Sequence, residues 1–191
     1  TTMSLSGFSS HDASYAYFDS AAIEMVAVAF MLIAGVNFSI HFLAWRGKSF
    51  RPYVMCPETK WFLVLMLVSV LLIATFLLAH QQYTTFSEAF RYSLFNVVSV
   101  ATTTGFANTD FAQWPIFAPL FMIFLSVFAS AAGSTGGGIK MLRAVILFQH
   151  AVGELSRTLH PRAVNPVRIR GTVIGSPVIS GVLAFMLMYG M

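Results

Sequence analysis

Thr102-Thr103-Thr104-Gly105 is a run whose residue types suit the binding of a monovalent cation. Extended backbone ending in a glycine can turn successive carbonyls toward one axis, where they replace an ion's hydration shell. The three hydroxyls can add ligands or brace the loop. A second copy lies at the start of the chain. TTMSLSGFSSHD at 1–12 aligns with SVATTTGFANTD at 99–110 at an offset of 98. Gly7 falls on Gly105, Phe8 on Phe106, Asp12 on Asp110, Ser4 on Thr102 and Ser6 on Thr104. In this copy, Ser4-Leu5-Ser6-Gly7, Leu5 offers only its backbone carbonyl. One such loop cannot encircle an ion, so several copies must share the task.

A third run, Gly133-Ser134-Thr135-Gly136-Gly137-Gly138, interrupts apolar sequence. Each glycine in a helix costs about 1 kcal/mol relative to alanine, so four in six residues break one. A break at membrane depth exposes backbone groups that only protein or water can satisfy. A flexible polar plug beneath the ion site, acting as a gate, fits these facts; a packing site for small residues is the other reading. A phosphate loop is excluded, because Ile139 stands where the lysine is required and Met141 follows Lys140.

The elements that position these residues are membrane helices. The chain has 191 residues, 57% hydrophobic and only 9% charged, too little charge to solvate a globular surface. Both ends read as cut. Cys56 is the one cysteine, which excludes an internal disulfide and a cysteine-based zinc site. Trp61 to Ala79 is uncharged and long enough to span. Ala22 to Trp45 is also long enough, with Glu24, Asn37 and His41 facing protein or water. Ile116 to Ala132 forms a third span, broken by the glycine run before Ile139 to Val152, and Gly171 to Met191 begins another. The net charge of +4 comes from basic residues that flank these runs and not from a nucleic-acid surface. Arg46, Lys48, Arg51 and Lys60, and then Lys140 through Arg170, place two stretches in the cytoplasm and residues 80–115 outside. Trp45, Trp61, Trp114 and Tyr83 sit at span ends, as an interfacial belt does.

Residues 84–101 fit neither a span nor a loop. Thr85 and Glu88 have capping-box spacing, which predicts a helix from Phe86. At about 15 residues it is too short for the bilayer. It reads as a re-entrant helix whose partly negative C-terminus points at a cavity and favours a cation; an ordinary extracellular hairpin is the bland alternative. The repeat is then span, re-entrant helix, glycine turn, span, and the fold class is an all-α polytopic membrane protein with such units around a central pore. His11 and Asp12 either shape an outer mouth or cap the next helix. No nucleophile–base pair or metal cluster lies at membrane depth, so an enzyme is not expected.

The two Gly-Phe turns and the GSTGGGIK break resemble the Trk/Ktr/HKT superfamily of potassium transporters, its bacterial Trk-type branch above all. The resemblance covers essentially the whole chain. It implies four repeats around one pore, with residues 1–46 the end of the second repeat and 47–59 a cytoplasmic loop. Residues 60–152 would be the third repeat, 153–170 a second cytoplasmic loop and 171–191 the first helix of the fourth. It also implies a potassium filter at Ser4, Leu5, Ser6, Gly7, Thr102, Thr103, Thr104 and Gly105, and a gate loop at Gly133 to Gly138. The implied function is potassium uptake across the bacterial inner membrane; the alternative is a sodium or sodium/potassium carrier of the same fold. No cofactor is implied beyond the transported ion. The implied partners are membrane lipid, a second copy in a homodimer, and a cytosolic nucleotide-binding ring. The basic loop from Glu154 to Arg170 either contacts that ring or only fixes topology and meets anionic lipid.

Overall fold

The structure, a computed structural model, describes residues 1–159, 167–169 and 172–190. Arg162, Arg170, Gly171 and Met191, which bound or lie in segments expected above, fall outside the described residues. The chain forms two compact units, Thr1–Gly138 and Ile139–Met191. The first contains α1 (Ala21–Gly35), α2 (Phe38–Gly47), α3 (Arg51–Met55), α4 (Pro57–Ala79), α5 (Phe86–Ala101) and α6 (Phe117–Phe128). Short 3-10 turns lie at Thr2–Ser4, Ser14–Tyr17 and Phe111–Gln113. The second contains α7 (Met141–Leu159), α8 (Ser176–Gly190) and a minimal antiparallel pair, β1 (Arg168–Ile169) with β2 (Thr172–Val173). The protein is an all-α polytopic membrane protein in architecture.

Helix α4 is 23 residues and, among the described residues, the one unbroken helix long and apolar enough to cross a membrane. Helix α5 starts where its cap predicts: Thr85 Oγ1 accepts the Glu88 amide at 3.4 Å. Its 16 residues reach about 24 Å, short of a hydrocarbon core. It is the centre of the first unit, packed against α1, α4 and α6. Its buried side includes Ala89, Phe95, Val97, Val98 and Ala101.

The expected single span from Ala22 to Trp45 is two helices, α1 and α2, bent by 96°. Val36 is extended, and the Asn37 side chain accepts the Ser39 amide at 2.8 Å. An asparagine that caps a new helix competes with continuation of the old one. His41 stabilises the bend, with Nε2 2.8 Å from the Ile33 carbonyl oxygen and Nδ1 2.8 Å from the Tyr53 hydroxyl. Apolarity and length cannot register such a break, because both halves are equally apolar.

Other expectations shift as well. Trp114 is buried and donates Nε1–H to the half-buried Tyr83 hydroxyl at 3.2 Å, so Trp114 packs inside the fold instead of facing lipid. Trp45 and Trp61 are exposed, as belt residues are. Residues 47–59 hold α3 and the first turn of α4, and α7 continues to Leu159, past Val152. In the second unit Ile146, Val167 and Val182 form a small core with Leu147, Ile174 and Ile179, and the Arg143 guanidinium lies 4.1 Å over the Phe185 ring.

Candidate functional site: two glycine turns and the loop beneath them

The two turns share a backbone pattern. Leu5 and Gly7 have φ of 48° and 63°, and Thr103 and Gly105 have φ of 61° and 85°. At the offset of 98 these are equivalent positions. Left-handed residues alternating with ordinary ones rotate successive peptide planes and bring their carbonyls toward one side. A non-glycine residue held left-handed costs about 1–2 kcal/mol, and such strain clusters at functional sites.

The hydroxyls brace the turns. Thr102 Oγ1 donates to the Val98 carbonyl at 2.7 Å and lies 2.7 Å from Thr104 Oγ1. Ser4 Oγ donates to the Thr1 carbonyl at 2.7 Å and lies 2.9 Å from Ser6 Oγ. The same hydroxyl pair, two residues apart, therefore occurs in both copies. Behind the second turn, Ser99 Oγ donates to the Phe106 carbonyl at 2.6 Å, and Asn96 Nδ2 donates to Asn108 Oδ1 at 2.6 Å. These two bonds tie the returning chain to α5. Ser99 and Asn108 escaped the sequence reading; a polar residue on the apolar face of a re-entrant helix is a signal for Ser99, whereas Asn108 lies beyond the helix and carries none.

The carbonyls are left over. Among the described residues, no protein donor reaches the carbonyl oxygens of Leu5, Ser6, Gly7, Thr103, Thr104 or Gly105. Of these residues Leu5 and Thr104 are buried, and an unpaired backbone acceptor away from bulk water is rare and needs a partner. The two turns also abut: a Cβ added at Gly7 would overlap the Thr104 carbonyl oxygen. Further out, the Tyr15 amide donates to the Ala107 carbonyl at 2.9 Å and the Ala107 amide to Ser14 Oγ at 3.2 Å. Tyr15 packs between Phe95 and Phe106. Phe106 is buried, whereas its counterpart Phe8 is 80% exposed. Asp110 caps the Phe111–Gln113 turn by accepting the Ala112 amide at 3.2 Å. Asp12 has no such role, because Ala13 holds the cap position of the next turn and makes no side-chain bond.

The glycine run lies directly against both turns. The Gly137 amide donates to Thr103 Oγ1 at 2.7 Å, and Thr103 in turn donates to the Thr102 carbonyl at 2.6 Å. Thr135 Oγ1 donates to the Met3 carbonyl at 3.2 Å. A Cβ at Gly136 would stand 3.2 Å from the Thr102 carbonyl oxygen. Ser130 Oγ donates to the Gly137 carbonyl and closes the loop on itself.

The seat of this loop is the bend between α1 and α2. Ala131 and Thr135 donate to the Gly35 and Ala34 carbonyls at 3.3 and 3.4 Å, and Phe38 donates to the Gly133 carbonyl at 3.1 Å. At the offset of 98, Gly35 falls on Gly133. The break between α1 and α2 thus falls within the stretch equivalent to the one that follows α6, although α6 stops earlier, at Phe128, and each break satisfies some of the other's orphan backbone groups. The carboxylate of Glu58, in the first turn of α4, accepts the Ala132 amide at 2.6 Å. No sequence signal marks Glu58, because its partner lies 74 residues away.

Gly138 sets where the loop ends. Its φ is 82°, and a Cβ there would stand 2.7 and 2.8 Å from the Ser126 and Val127 carbonyl oxygens. Gly138→Ala should therefore destabilise the fold by about 2–3 kcal/mol through strain and overlap with backbone. A drop in the thermal unfolding midpoint of detergent-solubilised protein reads this out, and an unchanged midpoint refutes it.

A profile of the TrkH family, described as "Cation transport protein", matches residues 1–190. The chain is 39% identical over 193 residues to the Trk system potassium uptake protein TrkH of Vibrio parahaemolyticus, covering 100% of this chain and 40% of that one. It is 34% identical over 190 residues to the Escherichia coli K12 protein of the same name, covering 100% of this chain and 39% of that one. The crystal structure of the potassium transporter TrkH from Vibrio parahaemolyticus superposes with a TM-score of 0.93 at 40% identity, over 99% of this chain and 41% of that one. The chain thus spans about two fifths of the length of these relatives.

Proposed function

Because the chain belongs to the TrkH family of cation transport proteins, we propose that it supplies two sectors of a potassium pathway across the bacterial inner membrane. Its curated relatives are named potassium uptake proteins. Ser4–Gly7 and Thr102–Gly105 act as filter turns, and Gly133–Gly138 acts as the gate loop. The observation that carries this reading is the pair of abutting turns with matching left-handed residues and unpaired carbonyls.

An arriving ion exchanges its water for those carbonyl oxygens. The C-terminus of α5 lends partial negative charge there. Among the described residues no carboxylate belongs to either turn, which suits entry and release of a weakly held monovalent ion. Passage toward the cytoplasm requires the glycine loop to move aside, breaking the bonds to Thr103 and Met3. Residues 1–46 close the second repeat, 60–152 form the third, and 171–191 open the fourth. The whole protein works as a homodimer in lipid, under a cytosolic nucleotide-binding ring that meets the basic stretch from Glu154 to Arg170.

The test is uptake by the full-length chain in a strain lacking potassium uptake. Growth at limiting potassium, with potassium entry exceeding sodium entry by about tenfold or more, is expected of a carbonyl filter with both glycines kept. Preferential sodium entry would move the reading to a sodium carrier of the same fold. Absence of any cation entry by well-expressed protein overturns it.

A further inference from the structure

We infer that Glu58 is a positioning residue that holds the gate loop in its seat beneath the filter turns, an inference that rests on the ion-pathway reading. Glu58 Oε1 accepts the Ala132 amide at 2.6 Å. Ala132 immediately precedes Gly133, which has a φ of 75°, so fixing its N–H fixes the direction in which the loop leaves. The loop then has two unlike halves. Residues 131–135 are held by the α1–α2 bend and by Glu58. Residues 135–138 reach the filter turns through Thr135 and Gly137.

The bond from Glu58 differs in kind from its neighbours. The backbone bonds of the seat are neutral and longer, at 3.1 Å for Phe38, 3.3 Å for Ala131 and 3.4 Å for Thr135. The Glu58 bond is short and charge-assisted, a class roughly twice as strong. Glu58 also stands on α4, outside the α1–α2 bend and outside the loop. It thus pins the seat to a third, unbroken helix. A carboxylate in a first helical turn ordinarily serves the helix dipole. Here one oxygen is committed to a backbone group 74 residues away, and that role requires an acceptor of the right reach, not merely a negative charge.

The experiment measures rubidium or potassium flux into proteoliposomes holding the purified full-length protein alone. Wild type and four variants are compared: Glu58→Ala, Glu58→Gln, Glu58→Asp and Gly105→Val. Glu58→Ala leaves the Ala132 amide without its acceptor, and the resting flux should rise about tenfold, the factor that about 1.4 kcal/mol represents. Glu58→Gln keeps an acceptor oxygen at the same reach but loses the charge assistance, and should leak only slightly more than wild type and clearly less than alanine. Glu58→Asp keeps the charge but is one methylene short, and should leak like alanine. A helix-dipole role predicts the reverse order, with aspartate like wild type and glutamine like alanine; that order overturns the inference, as does wild-type flux in both alanine and aspartate variants. Should Glu58→Ala fail to fold, the glutamine–aspartate contrast decides alone. The pathway reading fails separately, if wild type carries no cation or Gly105→Val carries as much as wild type.

Discussion

Gly7→Ala should abolish cation flux, lowering it by more than about a hundredfold, whereas Gly105→Ala should lower it by only about tenfold. Both glycines are left-handed, at φ of 63° and 85°, so either alanine meets backbone strain of about 1–2 kcal/mol. Their surroundings differ. A Cβ on Gly7 overlaps the carbonyl oxygen of Thr104 in the neighbouring turn, and one on Gly105 meets nothing within 4 Å. Overpacking against backbone typically costs about 1–3 kcal/mol more, because a peptide oxygen cannot rotate aside as a side chain does. The Gly7 substitution also displaces one of the carbonyls proposed to hold the ion. Isotope uptake normalised to protein in the membrane measures both variants. Equal losses would mean that the two turns do not abut as described.

Arg91→Met should destabilise the protein by about 3–5 kcal/mol, the usual result of stripping a buried charge of its partner. Arg91, on α5, grips Glu24 of α1 with two bonds, Nε to Oε2 at 2.9 Å and Nη2 to Oε1 at 2.8 Å. Glu24 is 3% exposed, so without arginine its carboxylate is left in the interior. Glu24→Gln should cost clearly less, because the Arg91 side chain is 29% exposed and has Asp19 at 3.4 Å. The double variant Glu24→Gln/Arg91→Met should recover part of the loss, since no unpaired charge remains. Thermal unfolding in detergent, with the fraction eluting as a single species, reports the order. A glutamine variant as damaged as the methionine variant would show that the pair contributes through packing and not through charge. The pair fixes α5, and so the turn at its C-terminus, against α1.

Local signals carried much of the fold. The Thr85–Glu88 cap placed the start of α5, the uncharged run from Trp61 placed most of α4, and the clustered glycines placed the break after α6. Each of these depends on residues within one or two turns of each other, which is the range over which backbone preference and capping act. The offset of 98 was legible as well, and both copies show the same hydroxyl pair and the same left-handed positions. The bend between α1 and α2 was not legible. A single asparagine in an apolar run reads equally well as a lipid-shielded polar residue or as a cap, and only the presence of the loop from α6 makes the cap the favoured state.

What the amino-acid sequence determined by itself is therefore the set of parts: an apolar chain of membrane helices, a short capped helix, two oxygen-rich turns and a glycine loop. What only the tertiary structure decided is their mutual placement. Glu58 meets Ala132 across 74 residues, Arg91 meets Glu24 across 67, and Gly137 meets Thr103 across 34. Hydrogen bonds of this kind have no periodicity and no spacing rule. They form wherever folding brings an unpaired donor and an unpaired acceptor together away from water, and their location follows from the packing of whole helices rather than from any neighbourhood in the chain.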